Sequence, residues 1–219
     1  QLDNLYIFKN TEGTPENIRK FHPNIIVSST GSAPLLPPIA GLKDRIDNEK
    51  HNIYSILGMI SHINDFPKDL EGKKVVVVGG GAVGLDVVEF FADRNADISI
   101  VEMMDQIGRD LDPVSKNDTK TMMKKHNVHQ LTKTALLEVK DSSFLVKGDG
   151  EPYELPFEYG FVCLGMRAQG QLYQNLTEEF SSEDVEIMNI GDSQRARRII
   201  DGTQEGRNIL TILEQKGYL

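Results

Sequence analysis

The feature that most constrains this chain is a run of four valines that leads directly into a glycine-rich turn. Val75 to Val78 are β-branched and apolar, and residues 79–84 read GGGAVG, which matches G-x-G-x-x-G. Such a run suits a parallel strand that is buried on both faces. Glycines let the backbone turn sharply and approach a pyrophosphate, and a helix that begins at Ala82 offers free N–H groups to the same phosphates. The segment therefore predicts a dinucleotide-binding strand, turn and helix.

The residues beyond the turn continue this pattern. Apolar residues recur at the spacing of one helical face, and they are Val83, Val87, Val88 and Phe91. A strand over Ile98–Val101 then leads into Glu102, about 20 residues beyond the turn, where a carboxylate accepts hydrogen bonds from both ribose hydroxyls. The alternative is a buried strand, turn and helix without a ligand, and the ordered occurrence of all these signals disfavours it.

Glu102 also bears on which nucleotide is bound. A carboxylate repels the 2′-phosphate of NADPH, so the sequence predicts that NADH is preferred. Arg109 would soften this preference if it faced the phosphate, but a solvated loop arginine is the favoured interpretation. Asp86 is interpreted as a complement to the helix dipole rather than as a ribose ligand.

Composition narrows the classes of partner. The net charge of −9 disfavours nucleic acid or an anionic membrane, because both require a basic face. No apolar run approaches the length of a membrane span, and the single cysteine, Cys163, excludes an intrachain disulfide or a cysteine-ligated cluster. We therefore expect a cytoplasmic protein. Because the first residue is Gln1 rather than Met, we expect the chain to be cut from a longer one.

Capping and turn signals divide the rest of the chain into elements. Thr14 and Pro15 open a short helix, and Asp112 followed by Pro113 opens another that runs to about residue 126. Residues 33–43 hold three of the nine prolines, which predicts an extended connector. Further helices are expected over 52–64 and 195–216, and strands over 24–27, 128–131, 136–140, 144–147, 161–164 and 185–190.

Four loops stand in an order that resembles one family. They are Ser29-Thr30-Gly31, the turn at 79–84, Gly165-Met166-Arg167 and Gly191-Asp192. This order resembles the paired dinucleotide-binding modules of the flavin-dependent pyridine-nucleotide oxidoreductases. The stretches GGGAVGLD, VEMMDQIGRDLDP and IGDSQRARRIIDGTQEGRNI are similar to the C-terminal part of NADH:flavin oxidoreductases of the 2,4-dienoyl-CoA reductase and 2-enoate reductase type.

The resemblance implies an α/β fold of three layers (ββα), the FAD/NAD(P)-binding Rossmann-like fold, in which a β-meander covers a five-stranded parallel sheet. Residues 1–44 and 171–219 would form part of an FAD-binding domain, and residues 45–170 an inserted NAD(P)-binding domain. The cofactor-binding residues that it implies are Gly79, Gly80, Gly81, Ala82, Val83, Gly84 and Glu102 for the pyridine nucleotide, and Thr30, Gly31, Gly191 and Asp192 for FAD. Gly165 is also expected to bind a cofactor, without assignment to one of the two.

The resemblance also implies partners beyond this chain. Enzymes of this type carry an N-terminal (β/α)8 barrel with FMN, a four-cysteine iron–sulfur cluster and a complete FAD domain. This sequence has neither the cluster cysteines nor an earlier G-x-G-x-x-G for the ADP half of FAD. We therefore expect NADH as the ligand of this chain, FAD in the full-length protein, and FMN and the cluster only in the missing regions. Association with a second copy of the chain is left open.

The expected function is transfer of hydride from NADH to FAD and onward, in the full-length enzyme, to an enoate or enoyl-CoA-type acceptor. No nucleophile, metal-ligand set or acid–base pair stands out, so no catalytic residue is assigned, as is typical where the cofactors carry the chemistry. One alternative is a relative of the NADH oxidases or disulfide reductases, the latter disfavoured because Cys163 stands alone. The other is a dinucleotide-binding module without activity.

Overall fold

The computed structural model describes residues 3–218, and these form two compact units. The first unit comprises the described residues up to Ala33 and from Met166 onward, and the second unit comprises Pro34–Gly165. The expected boundaries lay at residues 44 and 170. Leu42 is fully buried in the core of the second unit, and Gln169 N–H donates to the Gly31 carbonyl of the first unit, so both boundaries fall earlier in the chain. No helix among the described residues is long and apolar enough to cross a membrane.

The two units contain seven α-helices and twelve strands within residues 3–218. The helices are α1 (Pro15–Arg19), α2 (Leu42–Arg45), α3 (Ile56–Ser61), α4 (Ala82–Ala92), α5 (Pro113–Lys125), α6 (Gln171–Glu179) and α7 (Ile199–Gln215). The strands are β1 (Ile25–Ser28), β2 (Ser32–Pro34), β3 (Ile53–Tyr54), β4 (Lys74–Val78), β5 (Asp97–Val101), β6 (His129–Leu131), β7 (Ala135–Val139), β8 (Ser143–Lys147), β9 (Tyr153–Pro156), β10 (Tyr159–Val162), β11 (Met166–Ala168) and β12 (Glu186–Asn189).

The second unit is built on a five-stranded parallel sheet in the order β3-β10-β4-β5-β6. Its central strand is β4, whose four valines are each at most 3% exposed. Val75 and Val77 pack on one face with the apolar side of α4, whereas Val76 and Val78 pack on the other face. Successive side chains of a strand point to opposite faces, so this valine run contributes equally to two separate cores.

The two faces of this sheet are covered by different kinds of layer. On the helical face, the α4 side chain of Phe91 lies 4.8 Å from the ring of Phe161 on β10, centroid to centroid. On the other face, the antiparallel strands β7, β8 and β9 form a meander whose Phe144 and Val146 are fully buried. The predicted three-layer α/β fold, with a parallel sheet and a meander, is confirmed.

The first unit is smaller. β1 pairs with β12 in parallel, β2 pairs with β11, and a short 3-10 helix over Gly191–Ser193 precedes α7. Ile26, Leu176 and Phe180 form its apolar core. The guanidinium of Arg19 stacks on the Phe180 ring at 4.6 Å and forms ion pairs with Glu179 and Glu183. These contacts fix α1 against α6.

Capping residues predict correctly where helices begin. Apolar runs are less reliable as a guide to how far a helix extends. Thr14 caps α1, and the Asp112 carboxylate accepts hydrogen bonds from the N–H groups of Val114 and Ser115 at the start of α5. The helix predicted over 52–64 is wrong in part, because residues 53 and 54 form β3 and only 56–61 are helical. The closing helix begins at Ile199 rather than at residue 195.

Candidate functional site

The three fingerprint glycines meet three different physical requirements. Gly79 has a φ of +109°, and a Cβ atom there would overlap the carbonyl oxygen of Cys163. A Cβ atom on Gly84 would overlap the carbonyl oxygen of Gly79, so α4 lies close to β4 only because residue 84 has no side chain. A Cβ atom on Gly81 would have no neighbour within 4 Å. The first and third glycines therefore shape the turn, while the second leaves open space in front of the backbone.

The helix that follows presents its amino end without a side-chain cap. Gly81 is the N-cap residue of α4 and has no side chain that could accept from the first turn, and its carbonyl accepts from Leu85 N–H at 3.0 Å. The first N–H groups of a helix have no partner within the helix, and the helix dipole adds positive potential there. This end of α4 is therefore suited to a phosphate group.

A cleft of about 610 Å³ lies at the carboxyl ends of β4, β5 and β10. Chain order along the sheet reverses between β4 and β10, and open α/β sheets bind ligands outside the carboxyl ends of the strands at such a point. Six of the predicted cofactor-binding residues line the cleft, namely Gly79, Gly81, Ala82, Val83, Glu102 and Gly165. Gly80 and Gly84 do not line it, because both face other parts of the protein.

The Glu102 side chain is held in place at this cleft. One carboxylate oxygen accepts a hydrogen bond from Gly80 N–H and the other accepts one from Met104 N–H, each at 2.7 Å. The backbone N–H of Glu102 donates to Leu131 and its carbonyl accepts from Thr134, each at 2.9 Å. Each carboxylate oxygen has two lone-pair sites, so both keep capacity for one more donor, such as a ribose hydroxyl.

Much of the cleft wall is apolar and was not predicted. The connector contributes Leu35, Pro37 and Ile39, and the start of the meander contributes Ala135 and Leu136. The two segments are tied together where Val139 N–H donates to the Ala40 carbonyl at 2.8 Å. Apolar walls of this kind bury the flat rings of a nucleotide. The clustered prolines and leucines of residues 34–39 are the only sequence signal that would have pointed to them.

Cys163 lies at the same cleft, where its thiol is free and buried. Its residue is 8% exposed, and burial, together with the nearby charge of Asp86, raises the pKa of the thiol from 9.0 to about 12. Burial also raises the pKa of the Asp86 carboxyl, with a smaller contribution from Glu89. Nucleophilic and redox reactions of cysteine proceed through the thiolate, so the raised pKa disfavours these reactions of Cys163 at neutral pH.

The predicted flavin-side residues all lie in the first unit. Asp192 accepts hydrogen bonds from the Ser32 hydroxyl and from Arg197 N–H, each at 3.1 Å. Gly191 has a φ of +66°, and its N–H donates to the Glu205 carboxylate at 2.6 Å. That hydrogen bond and the ion pair with Arg197 lower the pKa of the Glu205 carboxyl.

Thr30 and Gly31 are likewise fixed within the first unit. The Thr30 hydroxyl donates to the Gln169 carbonyl at 2.6 Å, and the Gly31 carbonyl accepts from Gln169 N–H at 3.0 Å. The loops that carry Thr30, Gly31, Gly191 and Asp192 are therefore ordered by their own contacts, and their contact with FAD stays a prediction. Among residues 3–218, no group of three or more histidine, cysteine, aspartate or glutamate side chains is placed to hold a metal ion.

Comparison with known proteins decides the family. Residues 6–188 match the family described as pyridine nucleotide-disulphide oxidoreductases. The chain belongs to this family. Its members use FAD and NAD(P)H, so the family match agrees with the cofactors predicted from the four loops.

Relatives in this family are oxidoreductases. The chain is 26% identical to a metal reductase of Desulforamulus reducens over 90% of its length and 32% of the relative. It is 26% identical to an NADH oxidase of Thermoanaerobacter brockii over 87% of its length and 28% of the relative. A solved 2-naphthoyl-CoA reductase shares the fold with a TM-score of 0.74 and 22% identity, over 90% of this chain and 28% of that one. The chain thus spans about a third of the length of these relatives.

Proposed function

We propose that the second unit binds NADH in the cleft and serves a longer flavoenzyme in which hydride passes from NADH to FAD. The observation that carries this proposal is the fixed Glu102 carboxylate at the same cleft as the open face of Gly81 and the uncapped end of α4. An acid for the ribose and a helix end for the pyrophosphate are what the ADP half of the nucleotide requires. Bound NADH would supply the hydride.

The chain's own residues would bind and orient the nucleotide. The N–H groups at the start of α4 would take the pyrophosphate, and the apolar walls from Leu35, Ile39 and Leu136 would bury a ring and exclude water from it. Hydride transfer from NADH requires no side chain of this chain to donate or accept a proton. A protonated Cys163 thiol is compatible with this role.

NADH rather than NADPH is the proposed nucleotide. The Glu102 carboxylate would repel a 2′-phosphate, and Arg109, the basic residue that could offset this repulsion, is exposed and does not line the cleft. The first unit is proposed as the partial FAD-binding domain, with Thr30, Gly31, Gly191 and Asp192 towards the flavin in the full-length protein.

The proposed final acceptor is an enoate or enoyl-CoA-type compound. The support is that three stretches, around residues 79, 101 and 190, are similar to NADH:flavin oxidoreductases of the 2,4-dienoyl-CoA reductase and 2-enoate reductase type. Relatives named as a metal reductase and an NADH oxidase make metal ions and oxygen the competing acceptors. A cysteine-based disulfide reductase is the less favoured alternative, because the raised pKa of Cys163 removes its thiolate. A dinucleotide-binding module without activity is the remaining alternative.

Calorimetric titration of the purified chain with NADH and NADPH tests the nucleotide site. We expect NADH to bind at least about tenfold more tightly, which corresponds to about 1.4 kcal/mol of charge repulsion between Glu102 and the 2′-phosphate. Tight binding of NADPH with no binding of NADH would contradict the assignment. The visible spectrum separates the roles of the two units: we expect the chain to be colourless yet to bind NADH, whereas a bound flavin would show that the first unit holds FAD unaided.

A further inference from the structure

Both backbone polar groups of Gly80 form hydrogen bonds with the segment that follows β5. Its N–H donates to the Glu102 carboxylate at 2.7 Å, and its carbonyl accepts from Gly108 N–H at 2.7 Å. Gly108 has a φ of +67°, a backbone conformation that glycine adopts without strain. Glu102 and Gly108 therefore fix both polar groups of one residue in the middle of the fingerprint turn.

Gly80 is a glycine because of contacts and not because of its backbone conformation. Its φ lies outside the left-handed region. A Cβ atom would instead lie 3.0 Å from the Glu102 Oε2 atom and 3.1 Å from Ile107 Cγ1, both tighter than ordinary van der Waals contact. Gly80 itself does not line the cleft, whereas Gly79, Gly81 and Glu102 do. An effect of Gly80 on a nucleotide must therefore pass through its neighbours in the turn or through the Glu102 carboxylate that its Cβ atom would crowd.

We propose that Glu102 is a positioning residue for the pyrophosphate, acting through the Gly80 peptide and separately from any contact with the ribose. The next residue along the chain, Gly81, lines the cleft and is the N-cap residue of α4. A Cβ atom on Gly81 would have no neighbour within 4 Å. Displacement of Gly80 shifts Gly81 and the start of α4, because Gly81 is bonded directly to Gly80 and its carbonyl accepts the first hydrogen bond of the helix from Leu85 N–H. This inference rests on the proposed nucleotide site.

The Glu102→Gln variant separates the two roles if ADP is compared with 2′,3′-dideoxy-ADP. The dideoxy compound keeps the base and the pyrophosphate but has no ribose hydroxyls for Glu102 to accept from. Glutamine offers one acceptor oxygen to two backbone donors, at Gly80 and Met104, so one of those contacts is lost. Removal of a negative charge should by itself strengthen binding of an anion.

We expect the opposite sign for dideoxy-ADP, a binding constant weakened about three- to tenfold by loss of a hydrogen bond that holds the turn, measured by displacement of NADH. Equal or tighter binding of dideoxy-ADP to both Glu102→Gln and Glu102→Ala, the second of which leaves neither the Gly80 nor the Met104 N–H with its acceptor, would overturn the positioning role while leaving the nucleotide site intact. If the unmodified chain bound neither NADH nor ADP, the proposed function itself would fail.

A second set of variants tests the same coupling without changing Glu102. Gly80→Ala should weaken binding of dideoxy-ADP about three- to tenfold, because its methyl group crowds Glu102 Oε2 and Ile107 Cγ1 and displaces the turn, while the ligand has no ribose hydroxyl for Glu102. Gly150→Ala is the matched control, since a Cβ atom there meets nothing within 4 Å and the residue lies in a turn of the meander. Unchanged affinity of Gly80→Ala for dideoxy-ADP would contradict the proposal.

Discussion

At the scale of single residues, glycine serves stability and ligand access at different positions of one turn. Gly84 is buried where α4 crosses β4, and its missing side chain is what lets the two elements approach. Gly81 faces open space two residues after Gly79. The sequence motif treats these positions alike, and only the structure separates the residue that holds the fold together from the one that faces the cleft.

Substitution of these two glycines by alanine should therefore have opposite consequences. Gly84→Ala should lower the free energy of unfolding by about 2 kcal/mol or more, because the added methyl group overlaps the Gly79 carbonyl, and should lower the Tm by about 5 °C. Gly81→Ala should lower the Tm by only about 2 °C, because alanine is a poorer N-cap residue than glycine, but should weaken NADH binding about tenfold or more, because the methyl group enters the space next to the helix end. Thermal unfolding and NADH titration of both variants check this.

A result in which Gly81→Ala kept its affinity for NADH would contradict the assignment of the open face to the pyrophosphate. Gly150→Ala again serves as the control for the general effect of replacing a turn glycine.

At the scale of elements, the sequence predicts the helices and strands that contain a β-branched run, a glycine turn or a capping side chain. It does not predict those that lack all three. β4, the start of α4 at residue 82 and the start of α5 at Pro113 were predicted, because each has a β-branched run, a glycine turn or a capping side chain. α6 was missed because its N-cap residue, Gly170, offers no capping side chain. β9 was missed because it is an edge strand with little buried surface and hence no alternating apolar pattern.

The cap of α5 gives a test at this scale. Asp112→Ala removes the acceptor for the N–H groups of Val114 and Ser115, and we expect the Tm to fall by about 2–4 °C. Asp112→Asn should show only part of this decrease at neutral pH, because asparagine keeps an acceptor oxygen for the N–H groups but not the negative charge that the start of a helix favours. The Ser115 hydroxyl and these N–H groups lower the pKa of the Asp112 carboxyl, so its contribution is present above the pKa of the unfolded chain and is lost as the pH falls.

If the Tm difference between Asp112→Ala and the unmodified protein persisted unchanged at acidic pH, the carboxylate would not be the group that caps α5. Circular dichroism at neutral and acidic pH is sufficient to decide between these outcomes.

At the scale of the whole molecule, the second unit contains every residue of the cleft. The sheet, both covering layers and the residues that line the cleft all lie between Pro34 and Gly165. The fingerprint and Glu102 could be predicted because they follow one another within a few elements of sequence. Met104 and the walls from residues 35–39 and 135–136 could not, because tertiary proximity alone brings them to the site.

A protein consisting of residues 34–165 should therefore fold and bind NADH on its own. We expect a single cooperative thermal transition and an NADH dissociation constant within about twofold of that of the 219-residue chain, because no ligand-facing residue is removed. Circular dichroism and calorimetric titration measure the two quantities. Failure of a folded 34–165 protein to bind NADH, while the full chain binds it, would mean that the first unit contributes to the site.

The bridge between Ala40 and the meander has a consequence for how this unit reaches its native state. It joins two cleft walls that are separated by about 100 residues of chain, so their meeting carries a large loop-closure cost and a high contact order. The strands β4 and β5 and the helix α4 between them follow one another directly in the chain, so the contacts among these three elements are more local. We therefore expect the cleft to be completed late in refolding, so that the recovery of NADH binding follows the recovery of helical circular dichroism rather than accompanying it.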